Sequence, residues 1–407
     1  MNFIKELNDI INNDKEKFGY DQESIMLSTG FECFDYLNAL VTSDDKGKKH
    51  IKKGLGCGRI ATIIGKSGVG KSTFAIQTAY NLIKPYKEGS MFILDFEQSN
   101  SEERVRMVTG MSQEYFQDHV NIKKIGISTE SVLNLAVQIM KLKKEHEKEL
   151  LVDNAEGICD AEGNIVKILP TTVIMIDSVA MMMPKAQLDE QEMQGQMSAT
   201  AMAKANTQLF KRLVQICMTG NIVCLFVNHI TQKITTGPMP VAASINYLKM
   251  DESLPGGNAP QFLTDTLIKL TASTKLEEDK LYQIKGFNIK VELIKSRSAP
   301  AGRSIDMIYN QREGFDNELS ILEYIKANGK LKGAGVSYKL EGLEDHVFRL
   351  SNFKEKLKED IVLKDYFFSL GRSLLENSVK ESSKFEKISE EEIVIEEEGE
   401  NINEKKE

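Results

Sequence analysis

Long apolar runs are missing from this chain. No stretch approaches the roughly eighteen consecutive apolar residues of a membrane-spanning helix, so neither a span nor a membrane partner is expected. The opening residues, MNFIKELNDIINNDKEKFG, interleave acidic and basic side chains and lack the uninterrupted apolar core of a signal peptide, so no secretory leader is expected. Cysteine pairs are missing as well. Cys33, Cys57, Cys159, Cys217 and Cys224 show no C-x-x-C spacing, which reads as reduced thiols in a cytoplasmic protein and excludes a disulfide frame or zinc site. Cys217 and Cys224 fall in apolar runs and are expected in the core, and five scattered histidines make no metal cluster. An excess of basic charge is also absent, since the net charge is −8. Residues 376–407, however, hold twelve acidic and five basic residues, which leaves the rest of the chain nearly neutral. A low overall isoelectric point therefore says little against nucleic-acid binding. The chain's 407 residues, 41% hydrophobic and 28% charged, suit a large globular core with a smaller domain or extensions.

What the chain does contain is a phosphate-binding loop. Arg59 to Ile76 reads RIATII, GKSGVGKS, TFAI, in which Gly65, Gly70, Lys71 and Ser72 fit G-x-x-x-x-G-K-[ST]. A β-branched run leads in (Ile60, Thr62, Ile63, Ile64), and an amphipathic helical run follows (Phe74, Ala75, Thr78, Ala79, Leu82, Ile83). Gly65, Lys66, Ser67, Gly68, Val69, Gly70, Lys71, Ser72 and Thr73 are thus expected to curl backbone N–H groups around nucleotide phosphates at the positive end of a helix. Lys71 would reach the β- and γ-phosphates, and the Ser72 hydroxyl would ligate Mg²⁺.

Around this loop the chain alternates buried strands and helices. Residues 1 to about 18 place Phe3, Ile4, Leu7, Ile10 and Ile11 on one helical face, which must bury against its own domain or another subunit. Residues 42–53 form a polar, lysine-rich insert expected as a solvated loop. MFILDFE (91–97) reads as a buried strand ending in Asp95 and Glu97, which beside the phosphate-loop strand would look into the nucleotide crevice. A helix is expected over 131–142, then a surface excursion over 143–170. TVIMIDS (172–178) is the Walker B pattern, a strand that delivers Asp177 to the metal shell. A long helix over 199–218 precedes the strand IVCLFVN, which ends at Asn228 and His229. Residues 231–260 show little periodicity, as functional or disordered loops do. Strands at 267–270 and 289–294 follow, the second leading into Lys295, Ser296 and Arg297. The expected fold is α/β with a mostly parallel central sheet over 25–315, a short N-terminal helix within 1–24, a small C-terminal domain over 316–375, and a disordered acidic tail over 376–407.

The order of motifs resembles the RecA family of DNA strand-exchange recombinases, including its T-even-type phage branch. The matching stretches are LSTGFECFDYLNAL, the Gly65–Ser72 loop, LDFE (94–97), VIMIDSVAMMMPKA (173–186), the strand end at 228–229, LPGGNAP (254–260) and VELIKSRSAP (291–300). They span about 25 to 315, and 316–375 looks similar to the family's small C-terminal domain. The resemblance implies a RecA-like P-loop ATPase in which Glu97 activates the attacking water, Lys71 neutralises phosphate charge, and Ser72 and Asp177 hold Mg²⁺. His229 would sense the γ-phosphate. Lys295 and Arg297 would reach the ATP of a neighbouring subunit, and Tyr309 would lie against the adenine. DNA contacts map to Lys204, Lys211, Lys233, Gly256, Gly257 and Asn258, and Phe262 to an aromatic that links the second DNA loop to the subunit interface. The first loop departs from the pattern in being acidic at Asp189, Glu190 and Glu192.

Motifs and resemblance together lead to the expectation of an ATP-dependent recombinase that polymerises on single-stranded DNA and pairs it with double-stranded DNA. Its partners would be further copies of itself in a helical homopolymer, a single-strand-binding protein and a loader, in the cytoplasm of a bacterial or phage-infected cell. The arm at 1–24 would dock on the adjacent protomer. Two other readings compete: a RecA-fold hexameric helicase or motor, and a nucleotide-gated regulator that hydrolyses little. About 25 residues ahead of the core cannot supply a helicase's collar domain, and Glu97 speaks against the regulator.

Overall fold

The computed structural model describes residues 25–43, 49–159, 163–188, 196–232, 248, 252–257, 259–276, 285–334 and 337–397. The arm at 1–24, the acidic residues Asp189, Glu190 and Glu192, Lys233 and Asn258 lie outside them.

Among the described residues, nine strands form one central sheet: β1 (Ile60–Gly65), β2 (Ser90–Asp95), β3 (Val120–Lys123), β4 (Thr172–Asp177), β5 (Ile222–His229), β6 (Thr266–Leu276), β7 (Gly286–Ser296), β8 (Ser304–Asn310) and β9 (Gly314–Asp316). Their spatial order is β9-β8-β7-β6-β1-β5-β4-β2-β3. The six strands from β6 to β3 run parallel, and β7, β8 and β9 close the other edge antiparallel. The fold is therefore α/β with a large, mostly parallel sheet.

The strand sequences reflect burial on both faces. In TVIMID, Val173 and Met175 face one layer with Phe74, Ile76 and Leu82 of helix α1 (Lys71–Ile83). Ile174 and Ile176 face the other layer, with Val132 of α2 (Thr129–Glu145) and Phe210 and Leu213 of α3 (Gln196–Gly220). Alternate side chains leave a strand on opposite faces, so a strand covered on both sides is apolar throughout. Phe74 anchors α1 through rings on three sides, Phe31 at 5.3 Å, Phe34 at 5.4 Å and Phe315 at 5.2 Å between centroids. That packing explains why GFECF precedes the phosphate loop.

Three expectations need correction. The strand carrying Asp95 is not beside the phosphate-loop strand, because β5 and β4 lie between β2 and β1. The lysine-rich insert is not a plain loop. Ala39–Ser43 and Lys49–Lys53 pair antiparallel, and Lys53 lies 4.0 Å over the Tyr36 ring. Alternation turns Val41 and Ile51 toward Tyr36, Leu375 and Val379, which gives the hairpin a small core of its own. The surface excursion at 143–170 carries a short helix, Glu147–Leu150, and a two-stranded ladder, Val152–Asp153 with Lys167–Ile168. The acidic tail is not disordered from residue 376. The last helix, α4 (Ile361–Glu397), continues into it as far as Glu397, with Val379 buried and Lys380 paired to Glu376 one turn back. Glutamate and lysine are good helix formers, and a helix already docked needs no new nucleus.

The C-terminal unit combines the helix Asn317–Ala327, a three-stranded sheet over 331–348, a helix over Phe353–Glu359, and α4. Its buried residues Leu322, Ile325, Phe353 and Phe367 are continuous with the main core. No helix among the described residues is long and apolar enough to cross a membrane.

Candidate nucleotide site

Parallel strands deliver their last residues to one edge of the sheet. There Gly65 ends β1, Asp177 ends β4 and His229 ends β5, in register with their neighbours. Beyond Gly65 the chain turns through Gly70, whose φ of +85° caps α1. A Cβ on Gly70 would stand 2.9 Å from the Tyr309 ring and 3.1 Å from the Phe315 ring, so only glycine fits. Tyr309 is 7% exposed and forms the wall behind the loop. The ring expected against an adenine thus packs under Gly70 and against Phe315 at 5.0 Å, because β8 carries it into the core.

Lys71 points inward at 5% exposure. Its Nζ donates to Lys66 O at 2.8 Å and lies 3.4 Å from His229 Nδ1. Burial pulls its pKa down to about 8, against the opposing pull of Asp177 and Glu97. The other ring nitrogen, His229 Nε2, donates to Glu97 Oε1 at 2.7 Å. Glu97 also receives the Ser178 hydroxyl, so Lys71, His229, Glu97 and Ser178 form one connected chain. Glu97 reaches the site because β2 adjoins β4, and its N–H donates to Asp177 O at 3.1 Å.

Asp177 is fully buried. Burial raises its pKa, and hydrogen bonds from Ser72 and Asn100 pull it back. Asn100 Nδ2 donates to one carboxylate oxygen at 3.0 Å, while the other, Oδ1, takes no hydrogen bond from a described residue. A desolvated carboxylate oxygen without a partner is costly, and a divalent cation would relieve it. A carboxylate and a hydroxyl, completed by phosphate oxygens, make the hard oxygen set that Mg²⁺ prefers. Ser72 and Asp177 therefore fit the metal expected there. Asp95 acts one step further back. It accepts from the Ser99 and Asn100 N–H groups at 3.2 and 2.7 Å and thereby aims Asn100 at Asp177.

Lys295 and Arg297 are at the opposite edge. Lys295 pairs with Leu267, which pairs with Thr62, three residues or roughly 10 Å before Gly65 along β1. Its Nζ donates to Gln261 O, Phe262 O and Thr264 O at 3.3, 2.7 and 2.8 Å. Arg297 donates to Phe262 O at 3.4 Å and pairs with Asp265 at 3.7 Å. The two basic groups converge, as their spacing suggests, but not on the phosphate loop of their own chain.

The segment between these edges touches both. Lys66 pairs with Glu252 at 3.8 Å, and Asn228 Nδ2 donates to Pro255 O at 2.9 Å. Further on, Thr62 and Thr264 hydroxyls bond Pro260 O and Ile60 O at 3.3 and 3.0 Å. Gly256 (φ +90°) has Val179 Cγ1 2.6 Å from where a Cβ would stand, and Gly257 has Ala203 at 3.0 Å. These glycines thus admit close packing on α3 and the 179–181 turn, a need that phosphate contact alone did not suggest. Lys204 and Lys211 are exposed on one face of α3, and Phe262 is 65% exposed. Sequence reasoning missed Asn100, Ser178 and Glu252, along with Arg104, which joins Thr73 Oγ1 (3.1 Å) to the carbonyls of Gln311 (3.1 Å) and Arg312 (3.0 Å). None carries a motif; their roles come from partners distant in the chain.

Residues 118–316 match the family model described as the RecA N-terminal domain, a span that includes Asp177, His229, Lys295 and Arg297. The chain is 24% identical over 294 residues to a protein named RecA from Mannheimia haemolytica, covering 71% of this chain and 66% of that one. It is 23% identical over 297 residues to one from Bifidobacterium breve, covering 71% and 62%. A third, from Porphyromonas gingivalis, is 24% identical over 318 residues, covering 75% and 79%. The chain thus spans a little under two thirds of the length of the first two relatives. At this distance the matches support a RecA-like core.

Proposed function

We propose that this chain is an ATP-dependent, filament-forming recombinase of the RecA type, closest to the T-even-type phage branch. It binds single-stranded DNA and exchanges strands with a homologous duplex. The observation that carries this reading is the split of the site. Lys71, Ser72, Asp177, Glu97 and His229 gather at one edge of the sheet, while Lys295 and Arg297 occupy the other. If Lys295 and Arg297 serve a nucleotide, it is one bound by another copy, and this supports a site between neighbours in a head-to-tail polymer.

In hydrolysis, Glu97 takes a proton from water as the water oxygen bonds to the γ-phosphorus and the bond to the β–γ bridging oxygen breaks, releasing ADP and phosphate. Lys71 neutralises charge on the phosphates, and the partner copy's basic pair does so from the far side. Mg²⁺ held by Ser72 and Asp177 would supply charge neutralisation and orientation. The 252–257 segment carries the nucleotide's state toward DNA, since Lys66 and Asn228 both hold it. Lys204, Lys211, Lys233, Gly256, Gly257 and Asn258 would contact DNA. The arm at 1–24 docks on the adjacent copy. A single-strand-binding protein and a loader act as accessory partners in a bacterial or phage-infected cell.

ATP turnover with and without single-stranded DNA tests the reading, with electron microscopy of the ATP-bound protein. DNA-stimulated turnover and open filaments are expected. Closed rings would favour a hexameric motor, and turnover indifferent to DNA would defeat the recombinase.

A further inference from the structure

Among the described residues, Glu97 receives two side-chain hydrogen bonds, both on one oxygen. Ser178 follows Asp177 at the end of β4, which lies between β2, the strand that leads to Glu97, and β5, the strand that ends at His229. It is fully buried and donates to Glu97 Oε1, the same oxygen that accepts His229 Nε2 at 2.7 Å. No hydrogen bond to Oε2 forms among the described residues. Two donors arriving from adjacent strands fix both the place and the rotation of a carboxylate, and so aim its second oxygen. His229 has a second neighbour at the phosphate loop, since its Nδ1 lies 3.4 Å from Lys71 Nζ. A ring that turned toward a γ-phosphate there would give up Glu97, and a carboxylate anchored by that ring alone would then be released. We infer that Ser178 is the positioning residue of the hydrolytic base: its hydroxyl holds Glu97 Oε1 while His229 turns to the γ-phosphate, and leaves Oε2 to the attacking water. This rests on the ATPase reading above.

The test is steady-state ATP hydrolysis with single-stranded DNA by full-length Ser178→Ala and Ser178→Thr, beside wild type and Glu97→Gln. Losing one orienting hydrogen bond to a general base should lower kcat of Ser178→Ala by about 10-fold or more, with KM for ATP and the Mg²⁺ requirement unchanged. Ser178→Thr, which keeps the hydroxyl, should restore turnover. A wild-type kcat in Ser178→Ala, while Glu97→Gln is inactive, overturns the inference and leaves the ATPase reading intact. So does a loss that raises KM, lowers the melting temperature and is not restored by threonine, because that marks a packing role only. Wild type without any turnover would instead defeat the ATPase reading, and this inference with it.

Discussion

Gly70 shows how narrowly single positions are specified here. Its φ of +85° and the two rings behind it leave no room for a methyl group. Gly70→Ala should cost at least about 1–2 kcal/mol from the backbone alone and push the loop off Tyr309. A lower melting temperature together with lost ATP binding would show both effects. Glu97→Gln keeps the shape of the carboxylate and removes its proton affinity. Hydrolysis should fall by roughly 10² to 10⁴-fold, while ATP still binds and still drives assembly. Lost nucleotide affinity in a binding titration would count against the general base. At this scale the residues legible in sequence were those whose chemistry fixes both type and spacing: Lys71 and Ser72 behind a glycine loop, and Asp177 after four apolar residues. Asn100, Ser178 and Arg104 were not legible, since each acts on a residue brought near only by the sheet, as Ser178 does on Glu97 across 81 positions.

Among the elements, the ends of α2 and α3 and the start of β4 meet on one buried amine. Lys143 Nζ lies within hydrogen-bonding distance of Pro170 O, Gly220 O and Asn221 O, at 2.6, 2.9 and 3.4 Å. Burial lowers its pKa to about 7. The unfolded chain keeps its lysine proton to about pH 10, so between these values the unfolded state holds a proton that the folded state has given up. This group therefore adds stability as pH rises from 7, at up to about 1 kcal/mol per pH unit. Urea denaturation of wild type and Lys143→Met at pH 7 and pH 9 should show the gap widening with pH; a constant gap would overturn the assignment. The 252–257 segment is a second such junction. Gly256→Ala should collide with Val179 and reduce DNA stimulation of the ATPase while ATP binding persists, as fluorescent-nucleotide titration would report. Element type was largely readable, because 3.6- and 2-residue periods survive in sequence. Strand order was not. Nothing in MFILDFE says that two strands separate it from the phosphate-loop strand, and nothing local in LVTS or KHIKK declares the pairing that Val41 and Ile51 make worthwhile against α4. The reach of α4 past Glu376 was hidden by composition, since a charge-rich stretch reads the same in a docked helix as in a free tail.

For the whole molecule, the division of the site between two sheet edges can be tested by mixing. Lys71→Ala lacks a working loop, and Lys295→Ala lacks the basic contact it would make on a neighbour. Each alone should have little DNA-stimulated turnover, with Lys295→Ala keeping its nucleotide affinity. Randomly mixed in equal amounts, they should recover about a quarter of wild-type turnover, because one junction in four then joins a sound loop to a sound lysine. A mixture no better than its parts would place Lys295 outside the neighbour's site. The same division has a consequence for growth. A polymer built this way has two unlike tips. At one, a subunit holds ATP that no basic pair caps; at the other, a basic pair projects with no nucleotide to meet. Turnover would be confined to internal junctions, so the uncapped tip keeps its ATP longest while older junctions spend theirs. Addition and loss of subunits would then proceed at different rates at the two tips, and the polymer would acquire a polarity in time as well as in space.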